Sequence, residues 1–368
     1  MKFLVEKREL LKGLTLANSV VERASTIPIL ANVLLVAAEG ALTVVATDLD
    51  VQIKLTLNAD VRQAGRISVS ASMLQDIVKK LADGAQVECE LVDSLFHVKS
   101  GRSRLKMFSL PADDFPDFDA GKPTTQFSLD SVDLVRLLRK TSFAISTEAS
   151  RYYLNGVYMH LREGNFACVA TDGHRMAVAW VKAEGLPAHM PGVILPRKTT
   201  LLAARHIDGH DGAVTIRLSE TKIAFEWGNT VLVSKLIDGS FPDYDRVIPK
   251  TNGNRLRVDV KALTASVDRV ATVSPEKGRV CSFRLEQSIL EVAMNVPEGG
   301  TAEDRVDVQY EGDEMVIGFN TRYVLEALAN IGADSVVWEM GDPGCAVILR
   351  PQIEDANFMS IIMPMRVA

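Results

Sequence analysis

The chain repeats itself on the scale of a domain, and this constrains its fold more than any single motif. Ala46-Thr47-Asp48 returns as Ala170-Thr171-Asp172, 124 residues on, and Phe115-Pro116-Asp117 returns as Phe241-Pro242-Asp243, 126 residues on. The opening pattern recurs as well. A short alternating segment at 2–5 leads into 7–22, where Leu10, Leu11, Leu14, Ala17, Val20 and Val21 mark one buried helical stripe. The same order reappears at 126–130 with 132–143, and at 255–259 with 261–273. A second helical stretch follows in each copy, at 70–81, 196–206 and 320–331, and Ser70 or Ser72 suits the N-cap of the first. Solenoid repeats run only about 20–50 residues. The spacing therefore predicts three similar α+β domains, at 1–120, 126–249 and 250–368. Each holds two strand–helix units with antiparallel strands between them. The joints at 119–125 and 249–254 are rich in turn-forming residues.

In the first copy, further strands are expected at 29–37, 41–47, 51–57, 66–70, 87–91, 95–98 and 104–110. The chain ends on Ser360-Ile361-Ile362-Met363-Pro364-Met365-Arg366-Val367-Ala368, the third copy of the segment that closes each repeat. Leaving a large apolar side chain in water costs roughly 1.5–3 kcal/mol, so this tail should dock. It reads as a final strand, as one wall of a binding groove, or as both. Pro364 suits an edge, because proline cannot donate to a sheet ladder. Methionine suits a surface that accepts several partners.

Composition describes an ordinary globular chain, 47% hydrophobic and 24% charged. No apolar run approaches the roughly 18 residues of a membrane span, and charge follows the N-terminus at once, so a cytoplasmic protein without membrane contact is expected. Cys89, Cys168, Cys281 and Cys345 stand far apart and read as small buried hydrophobes rather than a disulfide framework or zinc site.

No catalytic constellation emerges, and neither metal nor cofactor is expected. Phosphate-loop, dinucleotide, zinc-protease and nucleophile-elbow patterns are all missing. Asp48/Asp50 and Asp113/Asp114 read as turn residues rather than metal carboxylates. Thr171-Asp172-Gly173-His174-Arg175-Met176 is the densest polar cluster. The first copy keeps its Thr-Asp turn without the His and Arg, so those two point to a binding feature of the second module. The net charge of −6 argues against a nucleic-acid partner. Yet Lys79, Lys80, Arg136, Arg139, Lys140, Arg197, Lys198, Arg205 and Arg269 lie on or beside the repeated helices, where repeat symmetry would gather them on one surface.

Six segments together carry a resemblance: 26–30 (Thr-Ile-Pro-Ile-Leu), 101–104 (Gly-Arg-Ser-Arg), 151–156 (Arg-Tyr-Tyr-Leu-Asn-Gly), 171–175, 241–244 (Phe-Pro-Asp-Tyr) and 363–366 (Met-Pro-Met-Arg). In this order and over the whole chain, the sequence resembles the bacterial sliding-clamp family, the beta subunits of DNA polymerase III. The resemblance implies a non-catalytic processivity factor whose head-to-tail homodimer forms a ring of six domains. Helices would line the hole around duplex DNA, and sheets would form the rim. Binding would then be independent of base sequence and sensitive to salt.

The resemblance also assigns residues. A partner-peptide pocket between modules two and three would take Leu154, Thr171, Gly173, His174, Arg175, Met176, Pro242, Arg246 and Val247 on one side. Asn320, Tyr323, Val347, Ile361, Ile362, Met363, Pro364, Met365 and Arg366 would form the other. Partners would insert a short extended peptide carrying a glutamine and apolar anchors, with His174 and Arg175 at the pocket mouth. These would be the polymerase III alpha subunit, the clamp-loader delta subunit, other polymerases, ligase and mismatch-repair proteins. Arg23, Lys79, Lys80, Tyr152, Tyr153, Arg197, Lys198 and Arg205 would face DNA. Arg102, Arg104 and Lys106, on a strand closing module one, would meet Thr272, Val273, Glu298, Glu303 and Asp304 of module three across the dimer. Met176, Gly344, Ala346, Glu148 and Ala368 depart from the family pattern, the two small residues in a pocket wall. Two other readings stay open: a hydrolase using Asp172 and His174, and a monomeric scaffold.

Overall fold

A computed structural model of the chain describes residues 1–22, 27–182, 184–274, 280–297, 299–354 and 356–367. Arg23, Glu298 and Ala368, all named above, lie outside the described residues.

The repeat is visible in the order of elements. The first copy runs β1 (Lys2–Glu6), α1 (Lys7–Asn18), β2 (Asn32–Ala38), β3 (Ala41–Thr47), β4 (Val51–Asn58), β5 (Asp60–Gln63), β6 (Gly65–Ser70), α2 (Ala71–Lys79), β7 (Gln86–Val92), β8 (Leu95–Ser100) and β9 (Ser103–Leu110). The second runs β10 (Thr125–Asp130), α3 (Ser131–Ser142), β11 (Gly156–Arg162), β12 (Asn165–Thr171), β13 (Arg175–Val181), β14 (Val193–Pro196), α4 (Arg197–His206), β15 (Ala213–Leu218), β16 (Lys222–Trp227) and β17 (Thr230–Lys235). The third runs β18 (Asn254–Asp259), α5 (Val260–Ala271), β19 (Val280–Leu285), β20 (Ile289–Val296), β21 (Gly300–Asp307), β22 (Gln309–Glu311), β23 (Met315–Asn320), α6 (Thr321–Ile331), β24 (Ser335–Met340), β25 (Val347–Pro351) and β26 (Phe358–Ile362).

Two expectations change at element ends. Pro28 fixes its own backbone angle and has no N–H to give, so Pro28–Ala31 form a 3-10 turn and the strand expected from residue 29 begins at Asn32. The first helix stops at Asn18 rather than residue 22. There the Asn18 amide donates to the carbonyls of Leu14 (2.9 Å) and Ala71 (3.0 Å), and the Ser19 hydroxyl donates to Leu16. Of the two candidate caps for α2, Ser70 serves, accepting from the Met73 N–H at 3.4 Å.

The chain divides into two compact units. The first (Met1–Val135, Gly185–Ala188, Leu201–Leu236) holds one long antiparallel sheet in the order β10-β15-β16-β17-β4-β3-β2-β6-β9-β8-β7-β1-β5, with α1 and α2 packed together and α1 lying on β3 and β4. The second (Arg136–Glu184, His189–Thr200, Ile237–Ala368) holds the sheet β14-β11-β12-β13-β26-β25-β24-β18-β22 and the sheet β21-β20-β19-β23. There α5 packs on β20 and β21, and α6 on α5, β25 and β26.

Each unit is organised about the same joint. In the first, β17 closes the second repeat and pairs antiparallel with β4 of the first, Ser234 opposite Val51. In the second, β26 closes the third repeat and pairs with β13 of the second, Ile362 opposite Arg175. Hydrogen bonding thus runs unbroken from one repeat into the next, which is why compactness follows the joints rather than the repeats.

Candidate partner-binding site

The site begins with a turn used twice. In the β12–β13 hairpin, the Asp172 Oδ1 accepts the N–H groups of His174 (2.9 Å) and Arg175 (3.0 Å), and Thr171 Oγ1 accepts that of Gly173 (3.1 Å). In the β3–β4 hairpin, Asp48 and Thr47 do the same for Asp50, Val51 and Leu49. Asp172 therefore acts on its own backbone, which removes the basis for an acid–base pair with His174. Gly173 has φ +88°, and a Cβ there would lie 2.7 Å from the Arg151 guanidinium, which itself reaches the Asp172 carbonyl.

What the second hairpin adds is split between surface and interior. His174 is exposed. Arg175 is largely buried, 8% exposed, and borders a polar cavity beside His174 from within. Its Nε donates to Asp172 Oδ2 (3.1 Å), one terminal nitrogen to Glu326 and the other to the Phe143 carbonyl (2.6 Å). Its guanidinium carbon lies 4.5 Å from the Tyr323 ring centroid and 5.4 Å from that of Phe143. A buried cation is tolerated when it is paired and hydrogen-bonded, and here each of the three guanidinium nitrogens has a partner. Arg175 therefore ties the hairpin to α6, whose Tyr323 N–H is capped by the Asn320 side chain.

After β26 the chain continues as a strap. The Met363 N–H donates to the His174 carbonyl and the Met365 N–H to the Gly318 carbonyl, both at 2.8 Å. Pro364, between them, has no N–H to give. The first bond repeats one at the other joint, where Lys235 N–H donates to the Asp50 carbonyl at 2.9 Å. There the Lys235 ammonium also pairs with the Asp50 carboxylate at 2.9 Å, so an exposed ion pair stands where this joint has Met363 and His174.

The assigned pocket residues separate into floor and rim. Leu154, Met176, Val347, Ile361 and Ile362 are buried. Val247 (60%), Met363 (42%) and Met365 (43%) are exposed, as are Gly173, Pro242, Arg246 and Arg366, while Thr171, Asn320, Tyr323 and Pro364 are intermediate. Val247, Met363 and Met365 thus leave large apolar side chains in water. Val367, part of the same terminal segment though not among the residues the resemblance assigns, is also exposed, at 44%. Behind the rim, Met176 and Ile361 pack with Tyr244, Ala346, Ile348 and Met359. Phe241 stacks on Tyr158 (4.8 Å), and Tyr158 on His160 (4.6 Å). The His160 Nε2 lies 2.9 Å from the Tyr244 hydroxyl. Burial, with a smaller push from Arg162, holds His160 below the ordinary histidine range against the Leu161 carbonyl and Asp245. Ala346 thus belongs to the packed wall, and Gly344 to the exposed β24–β25 loop.

Next to the rim lies a polar cavity of about 390 Å³ lined by Glu148, His174, Arg197, Arg322 and Glu326 among others. It brings Arg197, a DNA candidate, beside the peptide candidates. Lys79 ends α2, Lys80 caps it, and both are exposed, as are Arg197, Lys198 and Arg205 on α4. Tyr152 is 54% exposed and meets Tyr153 edge-on at 5.8 Å. Glu148 pairs with Arg151 at 3.2 Å. Arg269 of α5 pairs with Asp304 at 2.6 Å. Arg102 sits in the β8–β9 turn, not on the strand; Arg104 and Lys106 are on β9, exposed. Thr272 caps α5 and is exposed, Val273 follows it half-buried, and Glu303 lies exposed on β21. Cys345 is exposed, against expectation, while the other three cysteines are buried. Among the described residues no cluster of His, Cys, Asp or Glu could hold a metal, and no helix is long and apolar enough to cross a membrane.

Family models for the DNA polymerase III beta subunit match the chain three times: the N-terminal domain over residues 1–119, the central domain over 128–243 and the C-terminal domain over 245–366. The chain belongs to the bacterial sliding-clamp family. It is 40% identical to the beta sliding clamp of Caulobacter vibrioides and 36% identical to that of Escherichia coli K12, each alignment covering 100% of both chains. Among solved structures, the Bartonella birtlesii sliding clamp bound to griselimycin matches with a TM-score of 0.96 at 38% identity. A Caulobacter crescentus clamp, with polyethylene glycol bound to a putative beta-motif tethering region, matches at 0.95 and 40%; both matches cover 100% of each chain. Membership makes the chain a processivity subunit of DNA polymerase III, working with DNA and polymerase rather than doing chemistry itself.

Proposed function

We propose that the chain forms a head-to-tail ring dimer of six domains around duplex DNA and captures partners by short peptides at the β13–β26 joint. The three domains would meet at 119–125 and 249–254. The observation that carries the peptide reading is the exposed apolar surface at this joint, where the equivalent joint presents the ion pair Asp50–Lys235 instead. A peptide with a glutamine and apolar anchors would lay its side chains on Val247, Met363 and Met365 beside His174. Polymerase III alpha, the clamp-loader delta subunit, other polymerases, ligase and mismatch-repair proteins are the partners this predicts.

Ring closure follows from the repeat rule. Each closing strand pairs with the third long strand of the preceding repeat: β17 with β4, and β26 with β13. That rule leaves β9 and β21 over. Past two residue pairs with β6, β9 is paired only with β8, and β21 only with β20, among the described residues. Phe108 on β9 stands at the position of Ser234 and Ile362, both 0% exposed in their joints, yet is itself 88% exposed. A second copy supplying β21 would cover it. Arg104 and Lys106 would meet Glu303, and a heterologous contact of this kind closes into a ring. DNA would pass the exposed cations of α2 and α4, with Tyr152 and Tyr153 near its path. The test is retention on DNA. The protein, once loaded, should stay on nicked circles and leave after linearisation; equal loss from both forms would refute encirclement.

A further inference from the structure

We infer that Gly318 is a positioning residue for the partner site: its missing side chain is the seat on which the C-terminal strap is held. This rests on the peptide-pocket reading for its functional consequence, but not for its structural one. Gly318 lies in β23, paired on one side with Ser282 of β19. Its other side is taken by Met365 in an antiparallel bridge. A Cβ built at Gly318 would fall 2.5 Å from the Met365 carbonyl oxygen, 2.9 Å from a methyl of Val367 and 2.9 Å from a methyl of Val280. Real Cβ atoms do not approach carbonyl oxygens so closely, so something must move.

The strap is the part that yields. Val280 sits in a strand held by β23 along its length. The strap between 363 and 367 has the two backbone bonds to His174 and Gly318, with Pro364 between them, and four of its five residues are exposed. Any side chain at 318 therefore unseats Met365 first and leaves β26, which ends at Ile362, in its sheet. Gly318 has no left-handed φ, so the requirement is for space and not for backbone freedom. The strap thus spans two sheets of one unit, and its attachment to the second depends on one hydrogen atom.

The experiment compares the full chain with Gly318→Ala, Gly318→Val and a truncation lacking residues 363–368. Two signals are followed: methyl resonances of the methionines, and titration with a peptide carrying glutamine and a Leu-Phe anchor. In Gly318→Ala the Met363 and Met365 methyl signals should shift while Met176 stays, and peptide affinity should fall by about tenfold. Gly318→Val should lose more, with the melting temperature within a few degrees of the parent. Unmoved Met363 and Met365 signals in both variants would overturn the inference whatever the peptide does. Loss of peptide binding on truncation, with Gly318→Ala binding like the parent, would also overturn it. If the truncated chain binds as the parent does, the pocket reading fails; shifted Met365 signals in Gly318→Ala would then still establish the seat itself.

Discussion

The guanidinium of Arg175 lies 4.5 Å from the ring centroid of Tyr323, across a sequence distance that no local pattern bridges. It joins the hairpin that carries His174 to the helix that carries Tyr323, and Asp172, Glu326 and the Phe143 carbonyl each accept from one of its three nitrogens. Replacing it with methionine leaves two carboxylates without their cation. For a fully buried pair that costs about 3–5 kcal/mol; Glu326 retains partial exposure, so about 2–3 kcal/mol is expected. Lysine should recover only part of this, because it lacks the flat fork that stacks and bonds at once. Denaturant melts give the stability, and peptide titration should show weaker binding in both variants. Unchanged stability in Arg175→Met would place Arg175 back at the surface.

Much of the fold was legible because it rests on local pattern. Ala41–Thr47 emerged as the expected strand, and Ser70 as one of two candidate caps, since alternation and capping chemistry act within a few residues. The burial of Arg175 was not legible. Its partners Phe143 and Glu326 lie 32 and 151 residues away, and only the folded joint brings them together. Phe108 was passed over for a different reason. It fits strand alternation whether its face is covered or bare, and its exposure appears only once β9 is seen to pair with β6 at residues 109 and 110 and not at Phe108. Arg269 and Asp304 stand 35 residues apart, and nothing in the sequence predicts that they share a hydrogen bond.

Phe108 gives the sharpest test of ring closure. If β9 meets β21 of a second copy, Phe108→Asp removes an apolar contact and buries a charge beside the interface. Loss of the phenylalanine contact alone is worth about 1.5–3 kcal/mol, or roughly 10- to 100-fold in dimer affinity. Arg104→Glu should weaken the dimer less, and added salt less again, because rim charges are screened. Sedimentation across a dilution series measures all three. A Phe108→Asp dimer as tight as the parent would move the interface elsewhere.

Acid should loosen the wall behind the peptide site. Burial lowers the pKa of His160 from its ordinary 6.5, so the unfolded chain takes up a proton before the folded one does. Stability is then full above about pH 6.5 and falls as pH drops toward the folded value. Protonation also makes Nε2 a donor, which ends its acceptance of the Tyr244 hydroxyl. His206 contributes in the same direction, its pKa lowered by burial and by Arg205. Melts between pH 7.5 and pH 5 should therefore slope downward, and His160→Gln should flatten part of the slope. An unchanged slope in that variant would exclude His160 as a source.

The strap decides whether the chain's end is core or site. A closing strand would carry module three; a wall would carry only partners. The side chains that fill the core, Phe358, Met359, Ile361 and Ile362, all precede residue 363 and are at most 3% exposed. Beyond them the strap adds two backbone hydrogen bonds, each worth a net of about 0.5–1.5 kcal/mol, and side chains that are only partly covered. Truncation before Met363 should thus lower stability by a few kcal/mol, about 1–3 from the hydrogen bonds plus the partial apolar burial, and leave the dimer intact, since β9 and β21 do not involve it. Peptide and polymerase binding should vanish, because Met363 and Met365 supply one side of the groove and Val247 alone cannot hold an anchor. Thermal melts, sedimentation and peptide titration on the same truncated protein separate the alternatives. A collapsed melt together with loss of the dimer would show that the strap is structural, and the groove would then need another wall.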